Sequence, residues 1–364
     1  MNIPIDRIII EEGAHKYSQT HDILRKLNKV AIEKEEKGKT PEEGISSRGM
    51  DKRTLRLMPF QGQFLKPCPG TKQYICCGYQ ILNTGQNCPM DCSYCILQAY
   101  FNQPSLRVFV NLENALGPVG EIIDRHPKRV FRVGTGEFMD SLALDPIAGW
   151  TRLLLKFFSG RHNTVLELKT KSDRIEGLLS SPYRNRIIVS WSLNSPEMAS
   201  REENGAPSIR KRLLAAKKCQ EEGFIIGFHF DPIIHYPGWK TGYMKTLELM
   251  ERYIHPKRII WISLGCFRYM PTLKPVIRRR HPGSMVLNGE FIRALDGKMR
   301  YFKPIRVDIY SYMKELIETW AGDTGLYLCM ESDEVWRKSL GWSPGTSSGL
   351  SDFLDSRVNM IFRK

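Results

Sequence analysis

The sequence of 364 residues has no apolar run long enough to cross a bilayer as a helix, which takes about 18 to 20 residues. It also lacks the basic lead and cleavage site of a secretory signal, because its first residues, MNIPIDRIIIEEG, hold only a short apolar patch. No segment repeats at a fixed period. These absences argue against membrane, secreted and repeat proteins, and we expect a cytoplasmic chain of one large domain or two.

The sequence contains fewer acidic than basic residues. Asp and Glu number 39 against 54 Lys and Arg, which gives a formal net charge of +15. An excess of positive charge favours a polyanionic partner, and nucleic acid is the simplest one. The hydrophobic content of 41% is that of a globular chain, so the charge belongs to a folded protein and not to a basic tail.

Nine cysteines without a secretion signal indicate a reducing compartment, where disulfides are rare. Three of them, Cys88, Cys92 and Cys95, stand in the stretch GQNCPMDCSYCILQ with three-then-two spacing. Clustered cysteines in such a compartment are more often metal ligands or catalytic thiols than disulfides. Zinc usually takes two separated pairs of ligands, and no fourth partner stands beside these three.

Six apolar, β-rich runs alternate with segments of helical spacing. The runs are 75–84, 129–134, 164–169, 187–193, 224–230 and 259–265, and the helical segments are 112–125, 145–158, 173–181, 208–222 and 241–253. In the fourth of these segments, Ser208 is a capping signal and Gly223 a stop signal. Such alternation indicates βα units on a parallel sheet, and six units fit an open or closed α/β barrel. Function in such barrels sits at the C-terminal strand ends.

The cysteine spacing at the mouth of a βα barrel resembles the radical S-adenosylmethionine superfamily. This resemblance implies a [4Fe–4S] cluster held by Cys88, Cys92 and Cys95, with one open iron that binds the methionyl group of S-adenosylmethionine. Reduction of the cluster would then cleave the cofactor to a 5′-deoxyadenosyl radical, and the protein would position that radical. Tyr94 would pack against the cluster or the adenine. A structural zinc knuckle is the alternative.

The same resemblance implies cofactor-binding residues at the next strand ends. The GTGE stretch, Gly134, Thr135, Gly136 and Glu137, resembles the segment whose backbone receives the methionyl amine. Lys169 or Lys171 would pair with the methionyl carboxylate. Ser192 and Asn194 would bind carboxylate or ribose. Each of these residues is also compatible with an ordinary polar position at a strand end.

Five stretches in order narrow the resemblance to the spore photoproduct lyase family. They are KPCPGT (66–71), YCILQ (94–98), SWSLNS (190–195), FDPIIHYPGWKTGY (230–243) and ISLGCFRY (262–269). The resemblance covers roughly residues 60 to 320 and implies a partial (β/α)6 barrel. It also implies repair of an ultraviolet-induced thymine dimer in DNA, with an electron donor such as a flavodoxin or ferredoxin. The adenosyl radical would abstract a hydrogen from the dimer, and a hydrogen would be returned to the product.

The chain departs from the family pattern in the residues that return this hydrogen. Glu137 stands where the family's donor cysteine aligns, and Ile96 replaces the tyrosine that often follows the third cluster cysteine. Cys266, at the end of the sixth predicted strand, is the natural substitute, with Tyr269 as a relay and Cys329 as a weaker candidate. Free cysteines also pack well as small buried residues.

Residues 270–305 interrupt the βα rhythm with a basic segment of hairpin character. The residues predicted to bind nucleic acid are Arg278, Arg279, Arg280, Lys298, Arg300 and Tyr301. Basic side chains neutralise phosphates, and aromatic rings stack on bases or fill the gap left by an extruded lesion. A solvated charged surface is the alternative.

We therefore predict an N-terminal helical and linker segment (1–60), a radical S-adenosylmethionine partial barrel (61–268) and a basic C-terminal hairpin, helix and tail (269–364). Three functions fit this organisation: a lyase that repairs ultraviolet-damaged DNA, a radical enzyme that acts on an RNA base, nucleotide or peptide, and a non-catalytic, metal-stabilised nucleic-acid-binding protein.

Overall fold

The structure is a computed structural model that describes residues 3–34, 51–71 and 73–362. Its strands are β1 (Arg7–Ile10), β2 (Ala31–Lys34), β3 (Thr54–Met58), β4 (Leu65–Pro67), β5 (Gln80–Leu82), β6 (Gly85–Gln86), β7 (Asp91–Cys92), β8 (Leu106–Phe109), β9 (Phe131–Gly134), β10 (Thr164–Thr170), β11 (Ile187–Ser192), β12 (Glu203–Asn204), β13 (Ile225–Ile233), β14 (Ile259–Cys266), β15 (Arg268–Tyr269), β16 (Phe291–Arg293), β17 (Met299–Tyr301) and β18 (Gly325–Leu328).

The helices carry the α numbering in the same order. They are α1 (Ser18–Lys26), α2 (Leu97–Tyr100), α3 (Leu112–Asp124), α4 (Asp145–Ala148), α5 (Trp150–Ser159), α6 (Glu176–Leu179), α7 (Pro196–Glu202), α8 (Ile209–Glu221), α9 (Trp239–Tyr253), α10 (Leu273–Arg280), α11 (Lys303–Ala321), α12 (Asp333–Leu340) and α13 (Ser347–Ile361). Among the described residues, no helix is both long and apolar enough to span a membrane.

The chain forms two compact units. The first unit comprises residues 1–67, 80–91 and 95–187, and the second comprises residues 68–79, 92–94 and 188–364. The domain boundaries predicted from the sequence follow the βα rhythm and stay a prediction.

The N-terminal part of the first unit contains more sheet than the sequence predicts. Strand β1 pairs in parallel with β2 and with β3, and β3 pairs in parallel with β8. The predicted helix is present as α1, but the strands correct the expectation of a helical and linker segment. The reason is that β1, β2 and β3 are only four or five residues long, too short to show a period. Residues 35–50 of this segment lie outside the described residues.

The remainder of the first unit carries the first part of the predicted βα series. Strand β10 pairs in parallel with β9, β9 with β5, and β5 in antiparallel with β4. Every residue of β9 is buried, as expected of a parallel strand covered on both faces. Of the first predicted strand, 75–84, only residues 80–82 form β5. Residues 75–79 belong to the second unit.

The second unit continues the series with parallel strands β11, β13, β14 and β18. All eight residues of β14 are buried, and its last residue, Cys266, stands opposite Ile233 of β13. Helix α8 begins and ends as predicted: the Ser208 side chain accepts a hydrogen bond from the Lys211 backbone, and Gly223 adopts a φ of 92°. The alternation that the sequence predicts is therefore confirmed.

The C-terminal segment forms an antiparallel sheet and three helices. Strand β17 pairs with β15 on one side and β16 on the other, which confirms the predicted hairpin character. Helix α10 was not predicted. Residues 347–361 of the tail form α13, and the Thr346 side chain caps this helix by accepting from the Gly349 nitrogen.

A buried ion pair fixes α11 to the third residue after β18. Arg306 contacts Glu331 at 2.9 Å and 3.3 Å, and the two side chains are 7% and 1% exposed. We expect Glu331→Gln to lower the free energy of unfolding by about 3–5 kcal/mol, because it leaves a buried guanidinium without its counter-charge. The measurement is urea denaturation. Glu318→Gln is the control: it breaks an exposed pair with Lys314 and costs less than about 1 kcal/mol. Equal costs would contradict the account.

Candidate functional site

The predicted ligand loop is anchored on both sides of Cys88. Lys52 donates hydrogen bonds to the carbonyl oxygens of Cys88, at 2.8 Å, and Met90. Asn87, in the left-handed region with a φ of 66°, donates from its amide to two carbonyl oxygens of residues 103 and 105. Burial raises the pKa of the Cys88 thiol to about 12. A metal that binds this sulfur must therefore displace its proton.

The donor set of the predicted metal site is three cysteine thiols. Cys88, Cys92 and Cys95 all lie outside any disulfide. In the described parts of the chain, no group of three or more His, Cys, Asp or Glu side chains is arranged to hold a metal ion. Thiolates are the ligands of iron–sulfur clusters, in which each of the three cysteines would bind a different iron. Cys88 and Cys95 belong to the first unit and Cys92 to the second.

The GTGE stretch folds directly against the end of β10. A Cβ atom added to Gly136 would lie 2.8 Å from the Cβ atom of Lys169 and 2.9 Å from its carbonyl oxygen, so only glycine fits there. Thr135 donates its hydroxyl proton to Ser141 at 2.8 Å, and the Ser141 nitrogen bonds the Lys169 carbonyl. The structure thus brings together two predicted cofactor-binding segments, 134–137 and 169–171. Glu137 itself is exposed.

Asp140 joins these two segments and was not among the predicted site residues. One of its carboxylate oxygens accepts from the backbone nitrogens of Leu142 and Ala143 and from the Thr170 hydroxyl at 2.6 Å. The other accepts from the backbone nitrogen of Lys171 at 2.7 Å. Asp140 therefore fixes the loop after β9 to the end of β10. Lys171 lies one residue beyond β10, whereas Lys169 lies within it.

Asn194 is held by hydrogen bonds within the protein. Its amide oxygen accepts from the Tyr243 hydroxyl at 2.6 Å and from the Ser195 nitrogen, and its amide nitrogen donates to the Pro232 carbonyl. The side chain is fully buried. Both polar atoms of the amide therefore hold the protein's own turn, and the role of Asn194 in binding a cofactor stays a prediction. Ser192 is buried at the end of β11, and its role in binding the cofactor stays a prediction.

Cys266 ends β14 inside a cluster of buried tyrosines. Its backbone nitrogen donates to the Tyr310 hydroxyl at 2.8 Å, and that hydroxyl donates to a carboxylate oxygen of Glu331 at 3.4 Å. Burial raises the pKa of the Cys266 thiol to about 12. The predicted relay, Tyr269, is buried too, with its ring stacked on Phe267 at 5.3 Å. The tyrosine bonded to Cys266 is thus Tyr310, which lies 44 residues away and has no local sequence signal.

Cys329, the weaker candidate donor, lies in a different electrostatic environment. Its sulfur is 3.8 Å from the guanidinium of Arg268, which forms a two-pronged ion pair with Asp231 at 3.1 and 3.2 Å. Cys329 therefore lies beside an ion pair, whereas the backbone nitrogen of Cys266 is bonded to a tyrosine hydroxyl.

The basic segment divides into exposed and buried residues. Arg278 and Arg279 are exposed on α10, and Arg280 and Lys298 are half-buried. Arg300 and Tyr301 are buried, and their contact with nucleic acid stays a prediction. Arg300 pairs with Asp296 at 2.6 Å, and the Tyr301 hydroxyl accepts from the His235 nitrogen.

Leu295 is the most exposed large apolar residue among the described residues of the basic segment. It lies in the turn between β16 and β17, and its side chain is 81% exposed. Gly297, with a φ of 77°, closes the same turn. Sequence reasoning missed Leu295 because a lone leucine is not an aromatic stacking signal.

The sequence of this chain is similar to those of known spore photoproduct lyases. The family model "Spore photoproduct lyase" matches residues 76–320. The spore photoproduct lyase of Geobacillus sp. (strain Y412MC61) is 26% identical over 241 residues, 64% of this chain and 69% of the relative. That of Clostridium acetobutylicum is 23% identical over 333 residues, 88% of this chain and 95% of the relative.

Solved structures share the fold. A spore photoproduct lyase complexed with dinucleoside spore photoproduct has a TM-score of 0.77 at 20% identity, covering 90% of this chain and 99% of that one. A variant with bound AdoMet and dinucleoside spore photoproduct has a TM-score of 0.76 at 20% identity, covering 90% of this chain and all of that one. The predicted fold class, an α/β partial (β/α)6 barrel, is confirmed by this likeness. The family model matches about two thirds of the residues of this chain. The chain therefore belongs to the spore photoproduct lyase family.

Proposed function

We propose that this chain is a radical S-adenosylmethionine lyase that repairs ultraviolet-induced thymine dimer lesions in DNA. It would act in the cytoplasm and take electrons from a flavodoxin-like or ferredoxin-like donor. The observation that carries the proposal is the extent of the family match, residues 76–320, which includes the three-cysteine loop and every strand end with a predicted site residue. Related lyases have been solved with AdoMet and with the dinucleoside lesion.

In this proposal, Cys88, Cys92 and Cys95 hold a [4Fe–4S] cluster. When bound, the cluster and S-adenosylmethionine supply a 5′-deoxyadenosyl radical. The backbone of Gly134 to Glu137 receives the methionyl amine, and Lys169 or Lys171 pairs with the carboxylate. Support comes from the contact between Gly136 and Lys169, which sets the two segments side by side. Asp140 keeps them there through its bond to the Lys171 nitrogen.

Cys266 is the proposed source of the returned hydrogen. Its S–H bond breaks as a C–H bond forms on the product radical, which leaves an unpaired electron on sulfur. The Tyr310 hydroxyl, which accepts a hydrogen bond from the Cys266 nitrogen, would pass its hydrogen atom to the sulfur. One electron from the external donor and one proton then restore the tyrosine. Tyr310 thus takes the relay role that the sequence assigned to Tyr269.

DNA would bind through α10 and the β16–β17 turn. Arg278 and Arg279 present guanidinium groups to phosphates, while the exposed Leu295 enters the gap that the lesion leaves when it is extruded. Apolar side chains of this kind act as wedges between base steps in other DNA-bending proteins. The arginines would therefore supply affinity, and Leu295 would supply preference for damaged duplex.

Removing the two exposed arginines should weaken DNA binding in a salt-dependent way. We expect Arg278→Ala/Arg279→Ala to flatten the slope of log affinity against log salt by about 1.8, since each phosphate contact contributes about 0.9. The measurement is fluorescence anisotropy at several salt concentrations. Lys257→Ala/Arg258→Ala, which removes two charges at the opposite end of β14, is the matched control. An equal slope in the two double variants would overturn the assignment.

Anaerobic assay of the reconstituted enzyme tests the function. With reductant and S-adenosylmethionine, we expect 5′-deoxyadenosine to form and thymine dimers to disappear from irradiated DNA, as followed by mass spectrometry. The absence of the family's donor cysteine favours a second candidate, a radical enzyme with another nucleic-acid or peptide substrate. That candidate would be supported if 5′-deoxyadenosine forms while the irradiated DNA remains unrepaired.

A further inference from the structure

Two adjacent buried glutamates, Glu202 and Glu203, contact the segment that contains Cys92. They follow one another at the end of α7 and are 1% and 2% exposed. Buried carboxylates are expensive unless they are fully bonded, so their partners show what they hold. Those partners include the two residues that directly follow Cys92.

Glu202 holds Ser93 through both its main chain and its side chain. Its carbonyl oxygen accepts from the Ser93 nitrogen at 2.8 Å, and its carboxylate accepts from the Ser93 hydroxyl. The same carboxylate accepts from the Ser284 hydroxyl at 2.7 Å and the Met285 nitrogen at 2.8 Å. One side chain therefore joins the cysteine segment to the residues that follow α10.

Glu203 holds Tyr94 and is itself held by a buried cation. It accepts from the Tyr94 hydroxyl and forms an ion pair with Arg212, both through short contacts. Arg212 is fully buried and also donates to the carbonyl oxygens of Ser192, at 3.0 Å, and Pro207, at 2.8 Å. Arg212 therefore fixes the carboxylate to the end of β11, and the carboxylate fixes Tyr94.

We propose that Glu202 and Glu203 are positioning residues for Cys92, the middle one of the three cysteine ligands. They would hold Cys92 in place through Ser93 and Tyr94, without binding the cluster themselves. The proposal rests on the proposed function, since it assumes that Cys92 is a ligand. The physical basis of the proposal is that Ser93 and Tyr94 are hydrogen-bonded to the end of α7. Ser93 is bonded through its backbone nitrogen and its hydroxyl, and Tyr94 through its hydroxyl. Tyr94 then has a structural anchor at its hydroxyl in addition to any contact made by its ring.

The test compares Tyr94→Phe and Glu202→Gln with matched controls. Tyr94→Phe removes one hydroxyl and keeps the ring, and Tyr100→Phe does the same at an exposed position. Glu197→Gln, exposed on α7, is the control for Glu202→Gln. The readouts are the rate of iron loss to a chelator and the electron paramagnetic resonance spectrum of the reduced cluster with and without S-adenosylmethionine. Thermal unfolding of each apoprotein is measured alongside.

We expect iron loss to be about tenfold faster or more in Tyr94→Phe and Glu202→Gln, because partners that orient ligands contribute on that scale. The spectrum should also change, while Tyr100→Phe and Glu197→Gln resemble the parent protein. Unchanged iron loss and spectra in both test variants would overturn the proposal. So would faster iron loss that merely follows the unfolding of the apoprotein. If instead the parent protein binds no cluster at all, it is the proposed function that fails.

Discussion

Replacing any one of Cys88, Cys92 and Cys95 with alanine should abolish formation of 5′-deoxyadenosine. Each cysteine would bind a different iron, so two remaining thiolates cannot hold the cluster with a single open iron. Iron content and the absorbance of the reconstituted protein should fall with the activity. This is the largest effect that the account predicts, because every later step depends on the radical.

The matched control for these variants is Cys219→Ala. Cys219 is a free, fully buried thiol of α8, and its pKa is raised to about 12 by burial. We expect this variant to retain its cluster and its activity, since Cys219 packs as a small apolar residue. Retention of full activity in any of the three cluster variants would disprove the ligand assignment.

Cys266→Ala should separate radical formation from repair. We expect 5′-deoxyadenosine to form at the parent rate, while intact thymine product falls by at least an order of magnitude and other products of the substrate radical accumulate. The physical reason is that the product radical then has no S–H bond to take a hydrogen from. The measurement is mass spectrometry of all products from an irradiated oligonucleotide.

Two variants make the test of Cys266 specific. Cys266→Ser keeps a hydroxyl of similar size at the same place, but an O–H bond is too strong to give up its hydrogen readily, so it should fail as alanine does. Cys329→Ala removes the thiol that lies beside Arg268, and we expect repair to continue. Normal repair in Cys266→Ala, or failure confined to Cys329→Ala, would overturn the assignment.

The βα series could be predicted because its strands are long, apolar and separated by capped helices. Strands β10, β11, β13 and β14 lie where the pattern places them, and Ser208 caps α8 as expected. Strands β1 to β3 were missed because their partners are distant in sequence and no period shows in four residues. Helix α13 was missed because Gly, Ser and Pro at its start favour a loop until Thr346 caps it.

The candidate site was only partly predictable, for a physical reason. Motif spacing identifies residues that a cofactor needs, such as the three cysteines and GTGE. Motif spacing does not identify the hydrogen bonds that the protein makes within itself. Asn194 was predicted to bind the cofactor, whereas its amide is hydrogen-bonded to Tyr243 and Pro232. Tyr310 was missed for the converse reason, since only folding brings α11 to the end of β14. Arg300 was predicted to contact phosphate because the sequence does not show its ion pair with Asp296.

The most direct test of the account follows one hydrogen atom. DNA that carries deuterated thymidine is irradiated, repaired anaerobically with unlabelled S-adenosylmethionine, and the 5′-deoxyadenosine is analysed by mass spectrometry. The account predicts deuterium in the 5′-deoxyadenosine when irradiated DNA is present and none when the same DNA is undamaged. 5′-Deoxyadenosine that stays free of deuterium while the lesions persist would contradict the claim that the radical attacks a thymine dimer.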